Sequence, residues 1–192
     1  MVPDNITSAK LTGRRIIVAV TGAIACYKSC TLVSRLAQAG AEVTVLMTAS
    51  AERFVTSLTF QTLSGRPVYT SLWEAQENFD AQHIGLARAA DVMVIAPASA
   101  NTIAKLAHGI CDNVVTTVAT ALPRETPVLL GPAMNAEMWA NPITQQNVTT
   151  LREVLGYHMV GPGTGWQACR TEGAGRMSEP DEIVEAIGGL LG

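Results

Sequence analysis

This sequence has no apolar run near the roughly 20 residues that a membrane helix requires, although it is 48% hydrophobic and only 15% charged. Val92–Ala96 and Pro127–Leu130 are short apolar runs with the length of buried strands. No basic cluster exceeds Arg14-Arg15 and the net charge is −3, which disfavours a nucleic-acid partner. Met1–Lys10 lacks a cationic segment followed by an apolar core, so no secretory signal is expected and Asn5-Ile6-Thr7 carries no weight as a glycosylation site. The four cysteines, Cys26, Cys30, Cys111 and Cys169, do not show metal-site spacing; no metal is expected, and a cytoplasmic, reduced chain is. What is present in excess is apolar surface, at a mean hydropathy of +0.24. That excess points to a sheet covered on both faces, with subunit interfaces as a further outlet.

The chain of 192 residues fits one domain. Strand and helix alternate along it, the pattern of a parallel α/β sheet. Strands are expected at Arg15–Val20, Glu42–Met47, Asp91–Ala96 (ended by Pro97), Pro127–Leu130 and, last, Tyr157–Val160. Helices are expected from the first strand to Ala39, over Ala100–Gly109, Asn113–Leu122 and Ile143–Leu155, and over Asp181–Leu191, with a short one opening at Thr48-Ala49-Ser50. Cys26, Cys30 and Cys111 read as buried apolar residues of helices. Two segments break the rhythm. Trp73–Asp80 reads as a polar loop, and Gly161–Met177, with five glycines and no helical period, as a flexible flap.

Ligands of open α/β sheets bind beyond the carboxyl ends of the strands. Three such ends share one chemistry: Thr21-Gly22-Ala23-Ile24-Ala25, Thr48-Ala49-Ser50 and Pro97-Ala98-Ser99-Ala100-Asn101-Thr102. Each brings small or hydroxyl residues to a helix start, where the dipole favours an anion; each hydroxyl singly also reads as an ordinary N-cap. The first loop is not G-x-G-x-x-G, no acidic residue ends the second strand, and no Walker sequence occurs. A mononucleotide phosphate fits these loops better than a nicotinamide dinucleotide.

Gly131-Pro132-Ala133-Met134-Asn135-Ala136-Glu137-Met138-Trp139 contains P-x-M-N-x-x-M-W. With it go the P-A-S-A-N-T sequence of Pro97–Thr102, His83 ahead of the Ala90-Asp91 strand start, and Ala168-Cys169 followed by Gly173-Ala174-Gly175-Arg176-Met177. In this order and spacing they resemble the homo-oligomeric flavin-containing cysteine decarboxylases. The resemblance runs from about Arg15 to Leu191. It implies a single-domain Rossmann-like (flavodoxin-like) three-layer fold over residues 1–192, with an N-terminal extension (1–12) and a glycine-rich substrate flap (161–178).

The resemblance further implies FMN held by Gly22, Ala23, Ile24, Thr48, Ser50, Ser99, Ala100, Asn101, Thr102 and Ala133, between subunits of a homotrimer or a dodecamer of trimers. In that family the cysteinyl side chain is oxidised to a thioaldehyde, after which loss of CO2 leaves an enethiolate. His83 is the expected base or thiol-orienting group and Asn135 the carboxylate-binding amide. Cys169 is the acid that protonates the enethiolate. Met138, Ala168 and Arg176 are the further substrate contacts, with Arg176 as flap anchor or phosphate contact. A cysteine in the flap points to the branch acting on phosphopantothenoylcysteine, with its substrate supplied by a separate ligase protein. The alternatives are a peptidyl-cysteine decarboxylase and a non-catalytic flavin-binding regulatory subunit. Arg170 departs from the A-C-G-x-x-G-x-G-R-M flap pattern, where it narrows the pocket, contacts a phosphate or carboxylate, or marks a changed substrate.

Overall fold

In the computed structural model, which describes residues 9–73 and 82–192, strand β1 (Arg15–Val20) sends alternate side chains into two separate cores. Ile16, Val18 and Val20 enter one apolar cluster, and Ile17 and Ala19 the other. Successive strand side chains point to opposite faces, so a strand apolar at nearly every position must be covered on both. β4 (Val92–Ala98) divides likewise, with Val92, Val94 and Ala96 on one side and Met93, Ile95 and Ala98 on the other. β2 (Glu42–Met47), β5 (Val128–Pro132) and the two-residue strands β3 (Val68–Tyr69) and β6 (His158–Met159) complete a parallel sheet of order β3-β2-β1-β4-β5-β6. That is the doubly wound Rossmann order; without edge strand β3 the other five follow the flavodoxin order.

Helix α1 (Cys26–Gln38) buries Cys26, Leu32, Val33 and Leu36, an apolar stripe at helical spacing, with Ser29 beside them donating to Ala96 O (2.7 Å). It covers the first face beside α8 (Pro180–Leu190), which contributes Ile183, Val184 and Ile187. Arg35 of α1 pairs with Asp181 of α8. Phe60, the buried side chain of α2 (Ser57–Ser64), joins the same core. The second face carries α3 (Gln82–Ala89), α4 (Ala100–Ala107), α5 (Val114–Ala121) and α7 (Pro142–Glu153), through Ala87, Ile103, Val118 and Leu151 among others.

Several expectations are corrected. β4 continues through Pro97 to Ala98, because its register on β5 shifts between Ile95 and Ala98; a proline, which lacks the ladder N–H, is tolerated at such an irregularity. The short helix expected to open at Thr48-Ala49-Ser50 is present as a 3-10 helix over Ala51–Arg53. Residues 161–177 contain an antiparallel hairpin of β7 (Gly163–Trp166) and β8 (Glu172–Arg176) rather than an irregular flap. Leu11, expected within an N-terminal extension, is fully buried in the first core. Cys111 is exposed in the loop between α4 and α5 and only Cys26 of the three helical candidates is fully buried. The loop expected at Trp73–Asp80 lies, apart from Trp73, outside the described residues, as does Asn5-Ile6-Thr7.

Candidate active site

Strands β1 and β4 are neighbours, yet the helices that follow them lie on opposite faces of the sheet. A crevice opens where the winding reverses, and here it is a cavity of about 1100 Å³. Thr21 ties its two walls together: its buried Oγ1 donates to Pro97 O (2.7 Å) and accepts from Ser99 N–H (3.0 Å). Gly22, Ala23 and Ile24 line the cavity from the β1 end, Thr48 and Ser50 from the β2 end. Ser99, Ala100, Asn101 and Thr102 line it from the β4 end and Ala133 from the β5 end. The capping reading of the hydroxyls holds beside the ligand reading, since Ser99 Oγ accepts from Thr102 N–H (3.3 Å) and Thr48 Oγ1 from Ala51 N–H (3.3 Å).

The first loop fits a ligand because it is stripped to glycine where it meets the second. A Cβ on Gly22 would lie 2.4 Å from Ser50 Cβ, so the two cavity-lining loops touch at a separation that only glycine permits. Helix starts and small residues around one crevice suit a phosphate-bearing cofactor.

The chemistry-bearing side chains meet at the opposite wall. Short helix α6 (Ala136–Ala140) begins at Asn135, whose Oδ1 accepts from Glu137 N–H (2.8 Å) and Met138 N–H (3.2 Å). The cap uses the oxygen and thereby fixes the amide, leaving Nδ2 to donate to Cys169 Sγ at 3.5 Å. The hairpin is brought there by close packing, not by looseness: a Cβ on Gly175 would lie 2.3 Å from Met134 O, while Gly175 O accepts from Met134 N–H (2.9 Å). Met138, half-exposed, and Ala168 line the same cavity.

Hydrogen bonds from Thr171 and Asn135 hold the Cys169 thiol below its ordinary range, and Cys169 Sγ stands 2.9 Å from Thr171 Oγ1. Donors to sulfur favour the thiolate, so removing the Thr171 hydroxyl must raise the midpoint. We expect Thr171→Val to shift the pH midpoint of Cys169 alkylation by iodoacetamide upward; an unmoved midpoint would contradict the assignment.

The charged groups around the cavity are mostly paired. Lys28, buried, donates to Glu179 Oε1 (2.8 Å) and Met177 O (3.0 Å). Arg176 donates to the same Glu179 oxygen (2.6 Å), which makes it the anchor of β8 to the start of α8. Lys105 pairs with Asp112 (2.5 Å). Glu179 is held below the usual carboxylate range, mainly by Lys28. Arg170, which lines the cavity, has no ion pair among the described residues. Among the described residues it is also the non-glycine residue with positive φ, at 63°. Left-handed backbone costs an L-residue about 1–2 kcal/mol. Arg170→Gly is therefore expected to stabilise the fold by about 0.5–1 kcal/mol after glycine's greater chain entropy is subtracted, read as a higher urea midpoint; a lower midpoint would contradict the strain.

His83 is not brought into this cavity. It lies in the first turn of α3, half-buried, and is absent from the lining residues. The chain leaves α3 for Asp91, whose N–H bonds to Arg15 O at the start of β1; the helix therefore begins at the carboxyl end of the sheet, the end that holds the cavity. His108 Nδ1 is 2.8 Å from Ala104 O at the end of α4, a structural contact. Sequence reasoning missed Gln167 and Lys28, both buried polar residues. Lys28 follows the helical stripe and carried a weak signal; Gln167, in a glycine-rich segment, carried none.

The Flavoprotein family matches residues 4–192. The chain belongs to the flavoprotein family. The cofactor class of this flavoprotein is a flavin. It is 44% identical over 174 residues to a probable phosphopantothenoylcysteine decarboxylase of Streptococcus mutans, covering 91% of this chain and 97% of that one. It is 46% identical over 178 residues to the coenzyme A biosynthesis bifunctional protein CoaBC of Haemophilus influenzae, a match covering 93% of this flavoprotein and only 44% of the length of that relative. Among solved structures, a cysteine-to-serine mutant of PPC decarboxylase complexed with pantothenoylaminoethenethiol superposes with a TM-score of 0.84 at 34% identity, over 91% of this chain and 96% of that one.

Proposed function

We propose that this flavoprotein decarboxylates 4′-phosphopantothenoylcysteine to 4′-phosphopantetheine, in coenzyme A biosynthesis, with FMN as its cofactor. The observation that carries the reading is the meeting of Asn135 Nδ2 and Cys169 Sγ, 3.5 Å apart, on a cavity with phosphate-suited loops. Gly22, Ala23, Ile24, Thr48, Ser50, Ser99, Ala100, Asn101, Thr102 and Ala133 are the residues that would hold FMN. FMN supplies the electron sink without which loss of CO2 from a cysteinyl carboxylate leaves an unstabilised carbanion.

The protein's own groups bind, orient and protonate. Asn135, its oxygen committed to the helix cap, offers Nδ2–H to the substrate carboxylate. Met138 and Ala168 pack against the substrate, and Arg176 anchors the flap through Glu179. Cys169 passes its proton to the enethiolate carbon, and the hydrogen bonds from Thr171 and Asn135 that lower its midpoint make it a stronger acid. His83 acts as base from a neighbouring subunit of a homotrimer, or of a dodecamer of trimers. The apolar rim of the cavity supports a covering subunit: Ile24, Tyr27 and Trp166 are 57%, 61% and 67% exposed. A ligase that joins cysteine to 4′-phosphopantothenate must supply the substrate. Among the described residues no helix is long and apolar enough to cross a membrane. The four cysteines are free, which suits a reducing compartment, and we place the reaction in the cytoplasm.

The test is substrate choice. Purified protein offered phosphopantothenoylcysteine and a peptide ending in cysteine, separately, should release CO2 from the first. Turnover of the peptide alone would replace this reading with that of a peptidyl-cysteine decarboxylase, and turnover of neither would favour a regulatory flavin-binding role.

A further inference from the structure

We infer that Gln167 is a positioning residue that holds the Cys169 proton donor at Asn135, and so decides whether the product leaves reduced or oxidised. Gln167 is 7% exposed, and its amide joins three parts of the site. Nε2 donates to Ala174 O (3.0 Å) and Gly173 O (3.4 Å) on β8. With the nitrogen committed to two carbonyls, Oε1 must face the other way. There it accepts from Ala136 N–H (3.1 Å), the residue after Asn135, and from the Cys169 thiol (3.5 Å).

The turn that carries Cys169 is closed on the same residue. Gln167 N–H donates to Thr171 O (2.9 Å) and Arg170 N–H donates to Gln167 O (2.9 Å). One side chain therefore fixes the hairpin, the start of α6 and the orientation of the S–H bond. A buried amide that leaves even one partner unpaired is costly, so the three parts move together or not at all. A separation of 3.5 Å between thiol and amide leaves little tolerance, since displacements near 1 Å cost about 100-fold in a positioned step.

The inference rests on the reaction proposed above. Two electrons leave the cysteinyl side chain, CO2 departs, a proton is added to the enethiolate carbon, and the same two electrons return. Without proton delivery the enethiol is released and the electrons stay with the cofactor. Misplacing Cys169 should therefore change which product forms more than how fast substrate disappears. A residue that merely supported the fold would lower the amount of active protein and leave the product ratio alone.

The experiment uses the flavin-loaded protein in an anaerobic single turnover of phosphopantothenoylcysteine, with both products measured by mass. Gln167→Met keeps the length of the side chain and removes its amide. We expect the ratio of enethiol to 4′-phosphopantetheine to rise at least about tenfold, with substrate still consumed. Cys169 alkylation, which needs no cofactor, should also accelerate. As a second variant, Ala136→Pro replaces the N–H that faces Oε1 with a ring carbon, so Oε1 loses its donor and must move; the site is a first helical position that accepts proline and follows a residue already extended (Asn135 φ −65°, ψ 154°). It should raise the same ratio. Variants that consume substrate more slowly at the wild-type product ratio would overturn the role of Gln167. A wild-type protein that releases only enethiol would instead overturn the proposed reaction, and with it this role.

Discussion

Asn135→Asp is expected to leave the fold intact and nearly abolish turnover. Aspartate caps a helix as well as asparagine, so the two backbone donors of Glu137 and Met138 keep an acceptor. The other side-chain atom changes from a donor to a negatively charged oxygen. It then faces the Cys169 sulfur and, in the proposed complex, the substrate carboxylate. Removing one aligned donor to a reacting oxyanion costs about 100- to 1,000-fold, and the added like charge acts in the same direction. kcat/KM should fall by at least that factor while the urea midpoint stays close to wild type. Equal losses of stability and activity would reduce Asn135 to a cap.

Gly22→Val should yield a folded but colourless protein. The new Cβ must displace either the β1 loop or the loop at Ser50, which it would otherwise approach to 2.4 Å. Both loops line the cavity, while the strand before Gly22 is buried and untouched. A shift of about 1 Å in groups that must be positioned is costly. We therefore expect the flavin content per chain to fall at least about tenfold, with far-ultraviolet circular dichroism retained. Stoichiometric flavin in the variant would remove this loop from the cofactor site.

Much of the fold was legible because its central strands carry their burial in sequence. The boundaries of β1 and β2 were read correctly, at Arg15–Val20 and Glu42–Met47, since an apolar run flanked by polar or glycine residues has one economical reading. Pro97 misled because a proline usually ends a strand, and only the register shift against β5 lets it remain. The two residues of β3 are too few for a period to appear. The hairpin of β7 and β8 was hidden by its own glycines. Gly175 serves a close approach to Met134, but in sequence it cannot be told from flexibility.

At the site, the ordered motifs that carry the family resemblance pointed to Asn135, Cys169 and the loops proposed for the cofactor, and the fold lines one cavity with them. Gln167 and Lys28 owe their roles to burial created by distant segments, at Gly173–Ala174 and Glu179. His83 shows the same limit from the other side: its helix starts at the correct end of the sheet, yet one chain does not bring it to the cavity.

The most direct measurement is the mass of the product formed by the flavin-loaded wild-type protein from phosphopantothenoylcysteine. Loss of CO2 alone, giving 4′-phosphopantetheine, is the result predicted by the proposed reaction, in which Cys169 protonates the enethiolate before the electrons return. Loss of CO2 together with two hydrogens, or no reaction with this substrate, would contradict it.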